Sequence, residues 1–173
     1  HSGIVSLSLP SSLREYRDST ASLYSLETIL IPSENSLYYA PPGFAKSSVW
    51  YSNLPDCSPV YLGRLLLGFK GTPVENTAVE IKDGTIAINE KAFNGIANIT
   101  DISFPDTLKY IGESAFEGTG WYDSQPDGAV YAGSVFLAYK GTMQLADADV
   151  IIKDGTKGIA NKSVYNNQVI NSV

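Results

Sequence analysis

The chain has 173 residues, 43% hydrophobic and 17% charged, a formal net charge of -6 and a single cysteine. That length suits one domain with a real core, the composition excludes a disordered chain, and the lack of any run among the 12 basic residues excludes a nucleic-acid surface. No apolar stretch reaches the roughly 18–20 residues of a membrane span, so no membrane insertion is expected, and Cys57 alone makes neither a disulfide framework nor a multi-thiolate zinc site.

Five strands are predicted in chain order from apolar residues at i and i+2, the period that puts side chains on one face of a strand. They are anchored at Leu7/Leu9, Ile29/Ile31, Val79/Ile81, Ile102/Phe104 and Val150/Ile152. Pro10, Pro32 and Pro105 end the first, second and fourth; Lys82 and Lys153 ahead of Asp-Gly-Thr stand at the other two, where glycine permits the same bend. After the bend comes a second apolar position, Ile88, Ile111 or Ile159. Two copies continue to Ala92-Phe93 and Ala115-Phe116, which reads as a short helical or 3-10 turn with Phe93 and Phe116 filling the interior.

The repeat is explicit. Ile88-Asn-Glu-Lys-Ala-Phe-Asn-Gly95 returns as Ile111-Gly-Glu-Ser-Ala-Phe-Glu-Gly118, and the same displacement carries Ile81 onto Phe104 and Asp83 onto Asp106. A longer period lays Trp50-Tyr51 on Trp121-Tyr122, Val60-Tyr61 on Val130-Tyr131, Lys70-Gly71-Thr72 on Lys140-Gly141-Thr142, and Lys82-Asp83-Gly84-Thr85 on Lys153-Asp154-Gly155-Thr156. Short coils therefore alternate with long ones carrying an insertion of roughly 25 residues. In each insertion two apolar runs flank a tight loop, Leu62-Gly63 in one and Ala132-Gly133 in the other, which predicts a β-hairpin projecting from the long coil with the Trp-Tyr pair at its base.

A single short coil cannot enclose its own apolar side chains, so the coils must stack. The predicted fold is a mostly-β solenoid of about five coils over 1–173, with stacked parallel strands, short helical or 3-10 turns and two inserted hairpins. Its core is expected at Ile81, Phe93, Ile102, Phe104, Ile111, Phe116, Trp50 and Trp121. The first strand opens the chain and no capping element closes it, which suggests a fragment of a larger protein.

The apolar-x-apolar-Pro strand ends and the Ile-Gly-Glu-Ser-Ala-Phe-x-Gly segment resemble the BspA-like leucine-rich repeats of bacterial cell-surface proteins. The Trp-Tyr and Pro-Asp-Gly inserts, followed by Val-Tyr-x-Gly and Tyr-Lys-Gly, are similar to a variant of that family. The resemblance spans almost the whole chain and departs from the pattern where Thr20-Ala21 and Ser163-Val164 replace Ala-Phe. It implies a secreted or wall-attached module used for adhesion, or an accessory spacer within a larger extracellular protein, and it implies no catalysis.

The residues agree with a non-enzyme. The only histidine is His1 at a terminus, Cys57 falls where the other insert has Gly128, and the acidic pairs Asp147/Asp149 and Glu113/Glu117 read as solvated turns with no cleft to shift their protonation. No calcium-loop pattern occurs, so neither a metal nor a cofactor is expected. A protein or glycan ligand would meet the outward side chains between the strand anchors, above all Thr28, Glu80, Asp101, Ser103 and Asp149, a row that turns acidic toward the C-terminal end. The aromatic pairs of the inserts are a second candidate surface, although recurrence in both copies favours a packing role.

Overall fold

The computed structural model describes residues 3–18, 23–142 and 150–164. Its elements run β1 (Ser6–Ser8), β2 (Thr28–Leu30), α1 (Val49–Ser52), β3 (Ser58–Leu62), β4 (Leu65–Lys70), β5 (Thr77–Glu80), β6 (Ala87–Ile88), β7 (Ile99–Ser103), β8 (Tyr110–Ile111), α2 (Gly120–Asp123), β9 (Gly128–Ala132), β10 (Val135–Lys140) and β11 (Gly158–Ile159). Thr20-Ala21, Asp147 and Asp149 lie outside the described residues.

Three backbone ladders tie neighbouring coils together. On one side β1 pairs parallel with β2, and β5 with β7. On a second side β6 lies between β4 and β8, parallel to both. A third ladder joins turn to turn: the amides of Lys91, Phe93 and Gly95 donate to the carbonyls of Glu113, Ala115 and Glu117 at 3.0, 2.8 and 2.8 Å. This last ladder occupies the Ala-Phe segments, which are turns with left-handed Lys91 (φ 54) and Ser114 (φ 52), not helical or 3-10 turns. The short helices sit instead at the two Trp-Tyr pairs. Ser48 and Thr119 cap them, each hydroxyl accepting the amide three residues on, Tyr51 at 3.0 Å and Tyr122 at 3.1 Å.

The hairpins do not project. Val60, Leu62, Leu65 and Leu66 of the first are at most 2% exposed; in the second, Val130 is 3% exposed and Ala132, Val135 and Phe136 are at 1% or less. A projecting two-stranded ribbon would leave one apolar face in water; here both faces find partners, so the hairpin is buried within the stack. Strand β4 continues the second ladder, with Leu65 opposite Ala87 and Leu66 opposite Ile88. Its Phe69 extends an aromatic column in which the centroids of Phe69, Phe93 and Phe116 follow one another at 6.1 and 5.6 Å. The column is closed by Phe104 and Trp121, each edge-on to Phe116.

Burying the hairpins breaks the first ladder. The turn Gly63-Arg64 takes the space between the second coil and the third: Gly63 faces Asn35 and Ile31, and the Arg64 guanidinium donates to the Gly84 carbonyl at 2.8 Å. So β2 never meets β5, and the single row of stacked strands expected from the anchors is a set of two-stranded pieces. For the same reason Val150 and Ile152 form no strand, because the second hairpin lies between their coil and β7, with Gly133 packed on Phe104.

The recurring lysines and tyrosines of the inserts lock each hairpin at both ends. Lys70 extends its ammonium to the carbonyls of Ser52 and Leu54 at the C-terminus of α1, and Lys140 does the same to Tyr122, Asp123 and Gln125 at the end of α2. Each also stands 5.7 Å above the ring of the helix tyrosine, Tyr51 or Tyr122. At the other end the Tyr61 and Tyr131 hydroxyls accept the amides of Lys82 and Lys153, both at 3.0 Å.

Close backbone approach accounts for one residue of the repeat. A Cβ on Gly112 would lie 2.3 Å from the Glu90 nitrogen and 2.6 Å from its Cα. Since backbone cannot step aside as a side chain can, Gly112→Ala is expected to destabilise the protein by about 1–3 kcal/mol in urea unfolding. An unchanged midpoint would mean that β6 and β8 are less tightly stacked than described.

Candidate interaction surfaces

The expected core residues Ile81, Phe93, Ile102, Ile111, Phe116 and Trp121 are buried, at no more than 8% exposure, while Phe104 and Trp50 are partly buried against the same clusters. Trp121 lies 5.2 Å from Phe104 and 5.1 Å from Phe116, so the insert tryptophan packs inward and presents no exposed ring. The aromatic surface considered for the inserts is therefore mostly interior.

The strand-face residues are brought together only in part. Glu80 lies opposite Ser103, and Asp101 opposite Ala78, all exposed on the β5–β7 pair. Thr28 faces Ser6 on the separate β1–β2 pair. The alternation is maintained because Val79, Ile81 and Ile102 point into the core at 5%, 2% and 5% exposure. A rigid two-stranded plate thus displays one carboxylate from each strand, with no ion pair to either among the described residues.

A second surface escaped the sequence pattern. Along the β6–β8 side runs a groove of about 470 Å³, lined among others by Glu15, Arg17, Tyr38, Glu90, Tyr110 and Glu113. The rings of Tyr38 and Tyr110 stack at 5.0 Å with an interplanar angle of 30°. Glu15 accepts both the Arg17 guanidinium and the Tyr38 hydroxyl. These two bonds, Arg17 first, hold the Glu15 carboxyl below its ordinary range, and the same carboxylate raises the Tyr38 phenol. The Arg17 guanidinium also sits 5.3 Å from the Tyr39 ring centroid. The available signal was the Tyr38-Tyr39 doublet after the buried Leu37, but its partner Tyr110 is two coils away and no local pattern connects them.

Beneath this groove a buried amide stitches two coils. Asn89, 2% exposed, donates to the Ala40 carbonyl at 2.8 Å and accepts the Ala40 amide at 3.5 Å, supplying the bonds a neighbouring strand would have made. Among the described residues no group of three or more His, Cys, Asp or Glu could hold a metal ion, and no helix is long and apolar enough to cross a membrane.

Stacked parallel strands, a turn ladder and the Phe69–Phe93–Phe116 column that links successive coils define a leucine-rich-repeat solenoid, mostly β with few helices. The particular type is indicated by the repeat itself: residues 68–124 match the family model described as BspA type Leucine rich repeat region (6 copies). No curated protein and no solved structure matches it.

Proposed function

We propose that this chain is a non-catalytic interaction module of a secreted or cell-surface protein, binding a protein or glycan ligand. The β5–β7 plate carries that reading. Its exposed side chains, Glu80, Asp101 and Ser103, are set on strands whose other faces are fixed in the core, so a ligand would meet a preorganised surface and little ordering cost would be added on binding. Two carboxylates favour a polar or cationic partner.

The test is an array of extracellular-matrix proteins and glycans probed with this chain and with a Glu80→Gln/Asp101→Asn variant. Reproducible binding that the variant loses by about tenfold or more supports recognition at the plate. Silence from folded protein across the array would move the assignment to the second reading, a spacer or accessory module that holds other domains in place. The observation favouring that reading is the inward packing of Trp121 and the partial burial of Trp50, which removes the strongest aromatic anchors from the surface.

A further inference from the structure

We infer that the groove along β6 and β8 is a binding site for a neutral oligosaccharide. The inference rests on the interaction-module reading and places the ligand away from the β5–β7 plate.

A groove of about 470 Å³ falls within the roughly 300–1,000 Å³ typical of sites that enclose small ligands. Its wall is aromatic. Tyr110 remains 49% exposed although one of its faces is covered by Tyr38, so the rest of the ring is offered to solvent. Tyr38 is itself tethered by Glu15, and the stacked pair is held in place before any ligand arrives. A pyranose ring has an apolar C–H face that packs on such a surface and a rim of hydroxyls that both donate and accept.

The polar groups of the groove suit that rim. Glu15, Glu90 and Glu113 are acceptors and Arg17 a donor, all lining the same groove. Glu15 is paired with Arg17, and Glu113 with Lys162 at 2.8 Å at one edge, so the Glu90 carboxylate sets the sign of the groove, which is negative by one charge over these five groups. Uronic or sialic glycans and phosphate esters would be repelled there, whereas an uncharged sugar would not. An added peptide strand is less well served, because β6 is paired on both edges by β4 and β8, and on the outer edge of β8 the Ile111 carbonyl already accepts the Asn161 amide at 3.2 Å.

The experiment is calorimetric titration of the whole chain with three neutral probes, cellotetraose, maltotetraose and the N-acetylglucosamine tetramer, and with tetragalacturonate as the anionic probe. At least one neutral probe is expected to bind. Tyr110→Ala is expected to weaken it about tenfold or more, and Tyr110→Phe, which keeps the ring, by no more than about threefold. Because Tyr110 is half exposed, the alanine variant should fold, and its circular dichroism melt verifies that. Failure of all three neutral probes, tighter binding of tetragalacturonate, or equal binding by Tyr110→Ala would overturn the inference. Loss through Glu80→Gln/Asp101→Asn in place of Tyr110→Ala would overturn it too, while leaving the interaction-module reading in force.

Discussion

Phe116→Ala is expected to cost about 3–5 kcal/mol of unfolding free energy, a large share of the roughly 5–15 kcal/mol that keeps a domain folded. Phe116 is 1% exposed and touches three rings, stacked on Phe93 at 5.6 Å and 11° and edge-on to Phe104 and Trp121 at 5.6 and 5.1 Å. Removing it leaves a cavity that the backbone ladders on both sides prevent from collapsing, because Ala115 and Glu117 are held to the turn of the preceding coil. Urea unfolding followed by tryptophan fluorescence would measure the loss, and Trp121 would report it locally. A double-mutant cycle with Phe93→Ala should be non-additive, since the two rings share one contact. A loss below about 1 kcal/mol would mean that the column is loosely packed and that stacking of coils has another source.

Lys140→Met is expected to destabilise by about 1.5–3 kcal/mol, although it exchanges a charge for an apolar side chain of similar length. The ammonium is bonded to three carbonyls at the end of α2, and in its absence those of Asp123 and Gln125 lose the donor that satisfies them. The positive charge also faces the negative end of the helix and the Tyr122 ring, and methionine replaces neither interaction. Lys140→Arg, measured beside it, should recover part of the loss because it restores a cationic donor. Urea unfolding measures both variants, and Lys70→Met should show a comparable fall, since Lys70 repeats the arrangement at α1 and adds an ion pair to Asp56 at 3.2 Å.

Both residues show how far the sequence can be read. The short and long repeats, one nested in the other, identify a stack, and the recurrence of Phe93 and Phe116 places its aromatic column without any coordinates. Recurrence also singles out Lys70 and Lys140, yet not their partners, because an ammonium that caps a helix 15 to 18 residues earlier leaves no periodic trace. The hairpins are where the sequence puts them, but they do not project. The contrary signal is Leu65-Leu66-Leu67: three successive apolar residues on a strand present both faces, and both need cover.

Burial of the hairpins reshapes the candidate site as well. Thr28 is separated from Glu80, Asp101 and Ser103, and the outward row becomes separate plates. The groove with Tyr38 and Tyr110 is illegible in the sequence for a different reason. Its two rings come from coils that are not neighbours along the chain, and they meet only because the solenoid winds them onto one flank.

Everything about where ligands can bind depends on the hairpins being layers of the stack, and native-state hydrogen exchange tests that most directly. The amides of Ile86 and Asn89 donate to Arg64 and Leu66 across the junction between hairpin and coil, both at 2.9 Å, while Gly112 donates to Ile88 between ordinary coils, also at 2.9 Å. Equal protection of all three amides, lost together in one unfolding event, is the predicted result. Rapid exchange at Ile86 and Asn89 beside a protected Gly112 would make the hairpin a loosely attached appendage and contradict the account.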